Sequence, residues 1–379
     1  MYRKRKRNVE FGLRENATST PAETNSVARF GRRSFLKRIG FGGTALLPAA
    51  GWLASETNSE ADQGGGLSRG DVALLRFLAA AEILETDLWQ QYNELALGNA
   101  GFQQGLFALD EDMPTYVNQN TRDEFSHQDF INAYLQSKGH EPVSLEKFRT
   151  LPSSQATGSN KNAKRLTNLM NLIVDTSWYT RYRSAGNPDF GDTFPQIVNL
   201  VNVPAIPNRD LAVGGDDIQI IANTAGFHFA TIEQGGASLY ASMLPKANSP
   251  EVIRIISAIG GTEVQHFEVW QDKAGNAPPV PIDTGARFPA LPHSPDQEPN
   301  GLDPSDPIDT NQIMPRPCKF ISTKLPLCSV IRPTLTANAG AVAAATGFAN
   351  SGLFNGQSRA FFNFLFDLAQ DADEARRGF

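Results

Sequence analysis

Apolar positions recur every three or four residues along four long stretches of this chain, and each apolar stripe carries a glutamate near its middle. The first stretch runs over 71–98 with Asp71 as the expected cap. Its stripe is Leu74, Leu78, Ala81, Glu85, Leu88, Tyr92 and Leu95. The second begins after Pro114 and ends at Gly139, with Val117, Glu124, His127, Ile131 and Tyr134 on one face. The third covers about 217–244 and aligns Phe229, Glu233, Gly236, Tyr240 and Met243. The fourth opens on Ser249 as cap, Pro250 at the first helical position and Glu251 beside the positive dipole end. Ile256, Ile259, Glu263, His266 and Trp270 form its stripe, and Gly275 closes it.

The segments between and after these stretches are less regular. Within 140–215, residues 164–182 predict a helix, while 187–213 is rich in Pro, Asn, Asp and Gly and reads as an irregular excursion. A short ribbon within 195–215 is the alternative there. Residues 276–335 are proline-rich and predict little regular structure. Helical patterning returns over 337–348 and 359–376. Phe361, Phe362, Phe364, Leu365 and Phe366 crowd the last stretch, which points to docking against the helices or a partner subunit. The expected fold class is all-α: four principal helices in two pairs over 71–275, a long crossover insertion at 140–215, and a 276–379 extension ending in helix.

Composition narrows the class. The chain has 379 residues, 40% hydrophobic, 20% charged and 9% aromatic, which excludes a largely disordered chain, a collagen-like fibre and a disulfide-dense mini-protein. No apolar run reaches eighteen residues, so a polytopic membrane protein is excluded as well. Two cysteines cannot build a zinc ribbon or an iron–sulfur cluster by themselves. The net charge of −6 divides into +8 on residues 1–54, where eleven Lys/Arg face Glu10, Glu15 and Glu23, and −14 on the rest. An acidic body argues against nucleic acid as a partner.

The basic end has the layout of an export address. Arg32-Arg33-Ser34-Phe35-Leu36-Lys37 precedes a short, small-residue apolar stretch, Gly40 to Ala50. The twin arginines with Phe-Leu-Lys resemble the Tat signal, with Gly31 standing where that family usually has Ser or Thr. A plain basic arm is the alternative. The resemblance implies the Tat export machinery as a partner, a periplasmic or extracellular mature protein, and export already folded with any cofactor in place. Residues 1–54 would be the signal, cleaved somewhere near 51–54, and 55–70, with Gly64-Gly65-Gly66, a linker. Cys318 and Cys328 fit an oxidising compartment, where a disulfide would add roughly 2–3 kcal/mol; two free thiols are the alternative.

The chemistry is concentrated in the stripes. Two of the four central glutamates are followed three residues later by histidine, Glu124-Phe125-Ser126-His127 and Glu263-Val264-Gln265-His266. On a helix that spacing points carboxylate and imidazole the same way. Isolated carboxylates in a helical core cost several kcal/mol each, so four of them need a partner, and a pair of divalent metal ions is the simplest one. The order Glu, Glu-x-x-His, Glu, Glu-x-x-His resembles the ferritin-like di-iron/di-manganese carboxylate proteins, over roughly 71–139 and 217–275. Within them, the chain resembles the Tat-exported ferritin-like domain proteins.

That resemblance implies a four-helix bundle holding a dinuclear iron or manganese centre. Glu124 and Glu263 would be shared by the two metals, His127 and His266 would cap one each, and Glu85 and Glu233 would be terminal. Glu82 is the alternative to Glu85: Glu85 precedes Tyr92, and Glu82 precedes Trp89, by the same seven residues that separate Glu233 from Tyr240. Zinc fits the donors but has no redox chemistry to offer. The function implied is redox chemistry with peroxide, dioxygen or ferrous iron, catalase-like or ferroxidase-like. The alternatives are metal sequestration or a non-enzymatic envelope protein of stress protection, as a homo-oligomer or not. Local readings compete as well. Thr121 to Glu124 could be a capping box. Glycines at 235–236 and 260–261 either break their helices or make room beside the site. His228 is off the Glu233 face, and neither His140 nor His293 receives a role.

Overall fold

Eight helices and two short ribbons make up the computed structural model, which describes residues 66–182, 184–280, 288–291, 315–331 and 339–377. The twin-arginine segment, the linker up to residue 65 and His293 lie outside the described residues. The helices are α1 (Arg69–Gly98), α2 (Ala100–Phe107), α3 (Met113–Ser137), α4 (Ser177–Tyr182), α5 (Asp216–Met243), α6 (Pro250–Ala274), α7 (Ala341–Asn350) and α8 (Arg359–Glu374). The fold is mostly helical, as the periodicity predicts, and α1, α3, α5 and α6 are its four long rods. No described helix is long and apolar enough to cross a membrane.

The caps differ in detail from expectation. Ser68, not Asp71, caps α1, its hydroxyl accepting from the Asp71 amide at 3.0 Å. Asp71 instead accepts from the backbone amides of Asn248 and Ser249, tying the start of α1 to the start of α6. α2 is an addition to the predicted set. Its glycine-interrupted eight residues are too short for a clear stripe, and Asn99 caps it by accepting from the Phe102 amide. Thr121 lies inside α3, its hydroxyl donating to the Val117 carbonyl, so it starts no helix and Glu124 is no capping residue.

Packing divides the rods into two close pairs, α1 with α3 and α5 with α6. Gly260 marks how close the second pair comes, since a Cβ there would stand 2.7 Å from the Tyr240 Cβ. Between the pairs the space is filled by long side chains. Trp89 of α1 stacks on Trp270 of α6 with ring centroids 5.3 Å apart, and Phe229 of α5 meets both at 4.8 Å. α8 packs on α1 with Phe361, Leu365, Leu368, Ala369 and Ala372 buried, so the aromatic tail docks on the helices of its own chain. At about 1.5–3 kcal/mol for each fully buried large side chain, that stripe is enough to hold the tail down. Asp373 at its end caps α7 through the Ala341 and Val342 amides.

The crossover corrects one expectation. Residues 164–182 are not one helix: β2 (Lys164–Arg165) pairs antiparallel with β1 (Leu151–Pro152), and β3 (Leu172–Val174) with β4 (Leu200–Val203), leaving only α4 helical. Asp87 of α1 is one reason. Its buried carboxylate accepts from the amides of Leu166 and Thr167 and from the Thr167 hydroxyl at 2.7–2.9 Å, and it pairs with Arg149. Those amides are thereby withdrawn from any helical ladder. A strand does form within 195–215, as β4, but the partner that completes its ribbon, β3, lies outside that range. Cys318 and Cys328 face each other across a backbone-paired bridge but are free thiols.

Candidate metal centre

Each rod contributes one carboxylate to a single buried cluster: on α3, α5 and α6 it is the central glutamate of the apolar stripe, and on α1 it is Glu82, one turn before it. Two overlapping groups form there. Glu82, Glu124, His127 and Glu263 each offer a donor atom within 4.8 Å of the others, and so do Glu124, Glu233, Glu263 and His266. Glu124 and Glu263 belong to both. All six residues are buried, the four carboxylates completely. Such buried Glu/His groups could hold a metal ion.

The first helix supplies Glu82 to the cluster. Glu85, preferred in the sequence reading, stands three residues on, outside both groups, although it feels the Glu82, Glu124 and Glu233 charges. What separates the two is the partner across the gap: the Tyr240 hydroxyl of α5 donates to Glu82 Oε1, while Tyr92 bonds His228 instead.

Hydrogen bonds orient the donors. Both imidazoles turn Nδ1 toward the carboxylates. His127 Nδ1 is 3.2 Å from Glu124, 3.3 Å from Glu82 and 3.6 Å from Glu263; His266 Nδ1 is 3.2 Å from Glu124 and from Glu233. The far nitrogen of His266, Nε2, lies 3.1 Å from Asp123, a carboxylate that fixes the ring plane. Asn120 donates to Glu124 at 2.7 Å and to Glu233 at 3.0 Å, and accepts from the Trp270 indole at 2.7 Å. Neither Asn120 nor Asp123 was singled out by the sequence reading. Asn120 was findable, since it lies one turn before Glu124 on an apolar stripe, a costly place for an amide without work.

Like-charge repulsion runs through the cluster. Burial pushes Glu263 and Glu85 well above the ordinary carboxylate range, and the neighbouring carboxylates push further. Burial and the Glu233 charge raise Glu124 to about 7, against the bonds from His127 and His266. Burial alone would lower the imidazoles. The facing carboxylates outweigh it, carrying His127 to about 10 and His266 to about 12. Five buried acids thus face two cationic rings, an imbalance that only protons or added cations can settle. Glu263 Oε2 also has no partner, while Glu82 Oε2 and Glu263 Oε1 face only His127 Nδ1, at 3.3 and 3.6 Å. A buried acceptor left unpaired costs about 1–3 kcal/mol, and this one belongs to a residue common to both groups.

Gly236 makes the space. A Cβ at that position would collide with Glu263 Oε2, whereas one at Gly261 would meet nothing within 4 Å. The two helices carry these glycines unbroken, so of the two readings the close approach is the one observed at Gly236 and Gly260.

His228 stands away from the cluster, fully buried, with Nδ1 2.7 Å from the Tyr92 hydroxyl. Burial lowers it from 6.5 to about 3, so it is neutral at physiological pH. The unfolded chain takes up this proton below about pH 6.5 and the folded chain does not until about 3. Its stabilising contribution is therefore complete above pH 6.5 and lost as pH falls. The expected acid slope from this residue is about 1.4 kcal/mol per pH unit between those limits. Chemical denaturation from pH 7 to 4 should show His228→Phe losing one proton's worth of that slope; an unchanged slope would refute the neutral assignment.

Compared with protein-family models, curated proteins and solved structures, the chain matches none.

Proposed function

We propose that this chain is an exported ferritin-like four-helix-bundle protein that holds a dinuclear iron or manganese centre and uses it for redox chemistry with peroxide or dioxygen. The observation that carries the reading is the pair of ligand groups overlapping at Glu124 and Glu263. Two shared carboxylates, two terminal ones and one imidazole per group make an oxygen-rich donor set suited to Fe or Mn. When bound, the metal pair would supply the electrons exchanged with peroxide or dioxygen.

The remaining work falls to the protein. Glu82 and His127 would hold one ion, Glu233 and His266 the other, with Glu124 and Glu263 common to both. Asp123 would keep the His266 proton on Nε2, freeing Nδ1 as a donor, and Asn120 would hold Glu124 and Glu233 against rotation. Trp89, Phe229 and Trp270 exclude bulk water on one flank. Export by the Tat route rests on Arg32-Arg33 and the apolar stretch after it, and a folded, metal-loaded cargo accords with that route.

The test is elemental analysis of the purified full-length chain, followed by oxygen evolution from peroxide and oxidation of ferrous iron. About two Fe or Mn per chain are expected, with Glu233→Ala losing both the metal and the faster of the two rates. No metal above the blank would overturn the reading. Bound metal with both rates equal to those of metal-free protein would overturn the redox assignment and leave a sequestration protein.

A further inference from the structure

An exposed apolar surface is concentrated on one loop. Of the nine residues 319–327 between Cys318 and Cys328, eight are exposed and Ser322 is half-buried. Phe320, Ile321, Leu325 and Leu327 are four of the eleven large apolar residues exposed among the described ones, gathered within eight positions. None of them packs against the hydrophobic core.

The loop is held in this form. Cys318 and Cys328 exchange both backbone hydrogen bonds at 3.0 Å, and the Asn187 side-chain amide donates to the Lys319 carbonyl at 2.8 Å. At the tip the Ser322 amide donates to the Phe320 carbonyl at 2.6 Å, a three-residue turn that sets Ile321 at φ +62° and leaves it 79% exposed. A β-branched residue is strained at positive φ, and glycine would take the position freely. The turn therefore carries, outermost, a side chain that works against it and gains nothing from the core.

Charge on this stretch is of one sign. Residues 315–331 carry Arg316, Lys319 and Lys324 and no acid, and the sequence has no Asp or Glu between Asp309 and Asp367, in a chain with 40 of them. Lys319 and Lys324 are exposed beside the apolar residues. Asp189 and Asp192 stand at the root of the loop, bonded to Asn187.

We propose that the 319–327 loop seats the protein on an anionic phospholipid bilayer, with Phe320, Ile321, Leu325 and Leu327 entering the interface and Lys319 and Lys324 meeting the headgroup phosphates. Interfacial binding grows with the apolar area buried and with attraction of basic groups to anionic lipid, and the loop supplies both. Its turn is already fixed, so little further ordering is needed on contact. Other occupants fit less well. A specific protein interface takes about 20–30 residues a side, and the loop offers nine. A second copy related by a two-fold axis would set the same patch, lysines included, against itself. None of the metal cluster's ligands lies on the loop, so the proposal stands or falls apart from the metal reading.

The test uses the full-length protein with vesicles of phosphatidylcholine, alone or mixed in equal parts with phosphatidylglycerol. Leu325→Trp places an indole on the loop. Lipids brominated along the acyl chain should quench it in the mixed vesicles, beyond the quenching of wild type. The basic 1–54 segment can draw the chain to such a surface, but it does not put residue 325 among acyl chains. Added to Leu325→Trp, Ile321→Gly relaxes the turn, removes the side chain, and should raise the lipid concentration for half-quenching about tenfold. Lys319→Gln with Lys324→Gln should raise it about 25-fold, fivefold for each lysine. The proposal is overturned if the indole is quenched no more than wild type, which would leave an acidic protein surface as the partner. It is overturned as well if phosphatidylcholine alone quenches equally, or if Ile321→Gly or the lysine pair leaves half-quenching unmoved. A lipid-free dimer in sedimentation that Ile321→Gly dissolves would assign the loop to a second copy instead.

Discussion

Gly236→Ala is expected to weaken Mn(II) binding by at least about 100-fold while leaving the fold intact. The added methyl collides with Glu263 Oε2 and must push aside a carboxylate that belongs to both ligand groups. Losing the groups that orient a ligand costs about 10–100-fold in metal affinity, and on the dinuclear reading proposed above, displacing a ligand common to both ions would exceed that. Helix propensity works the other way, because alanine in place of glycine stabilises a helix interior by about 1 kcal/mol. Gly261→Ala is the internal control: it gains the same propensity, its Cβ meets nothing, and it should leave metal affinity unchanged. Competition titrations against a chelator of known affinity measure both. Equal affinities in the two variants would mean that Glu263 is not a ligand.

Glu263→Gln should move stability in opposite directions with and without metal. In chelator, wild type confines five buried acids against two imidazoles, and Glu263 Oε2 is unpartnered. Glutamine keeps the shape and removes the acid. By analogy with replacing buried ionic groups by neutral ones, the metal-free chain gains roughly 1–3 kcal/mol. In metal the order reverses. On the dinuclear reading proposed above, an ion at a hundred times its Kd would add about 2.7 kcal/mol per site to wild type, and the variant would forfeit most of it at both sites because the residue belongs to both groups. Thermal melts in chelator and in excess Mn(II) should therefore cross. A variant less stable in chelator, yet shifted by metal as far as wild type, would refute the electrostatic account of the cluster.

The same residues show how far the sequence could be read. The four rods and their central Glu and His residues were legible because burial on one face imposes a 3.6-residue period, and nothing else in the chain explains Glu124, Glu233 and Glu263 on apolar stripes. The choice between Glu82 and Glu85 was not legible. Both lie on the inward side of α1, and only the folded arrangement shows that Glu82 is the one beside Glu124, His127 and Glu263 and within reach of the Tyr240 hydroxyl, 158 residues away. The 164–182 segment misled for a related reason. Its own pattern favours a helix, but Asp87, about 80 residues earlier, captures two of its amides. The amphipathic tail declared a docking surface by itself, while its acceptor, α1, emerged only in three dimensions.

Asn120 has a consequence beyond holding carboxylates still. Through it the Trp270 indole is one amide away from Glu124 and Glu233, and Trp270 in turn lies over Trp89. Of the chain's four tryptophans, two therefore form an optical antenna beside the carboxylates, while Trp178 sits among Tyr179, Phe227 and Phe267 elsewhere. Any paramagnetic ion entering the cluster would darken the emission of that pair, so the chain carries its own dye-free gauge of occupancy.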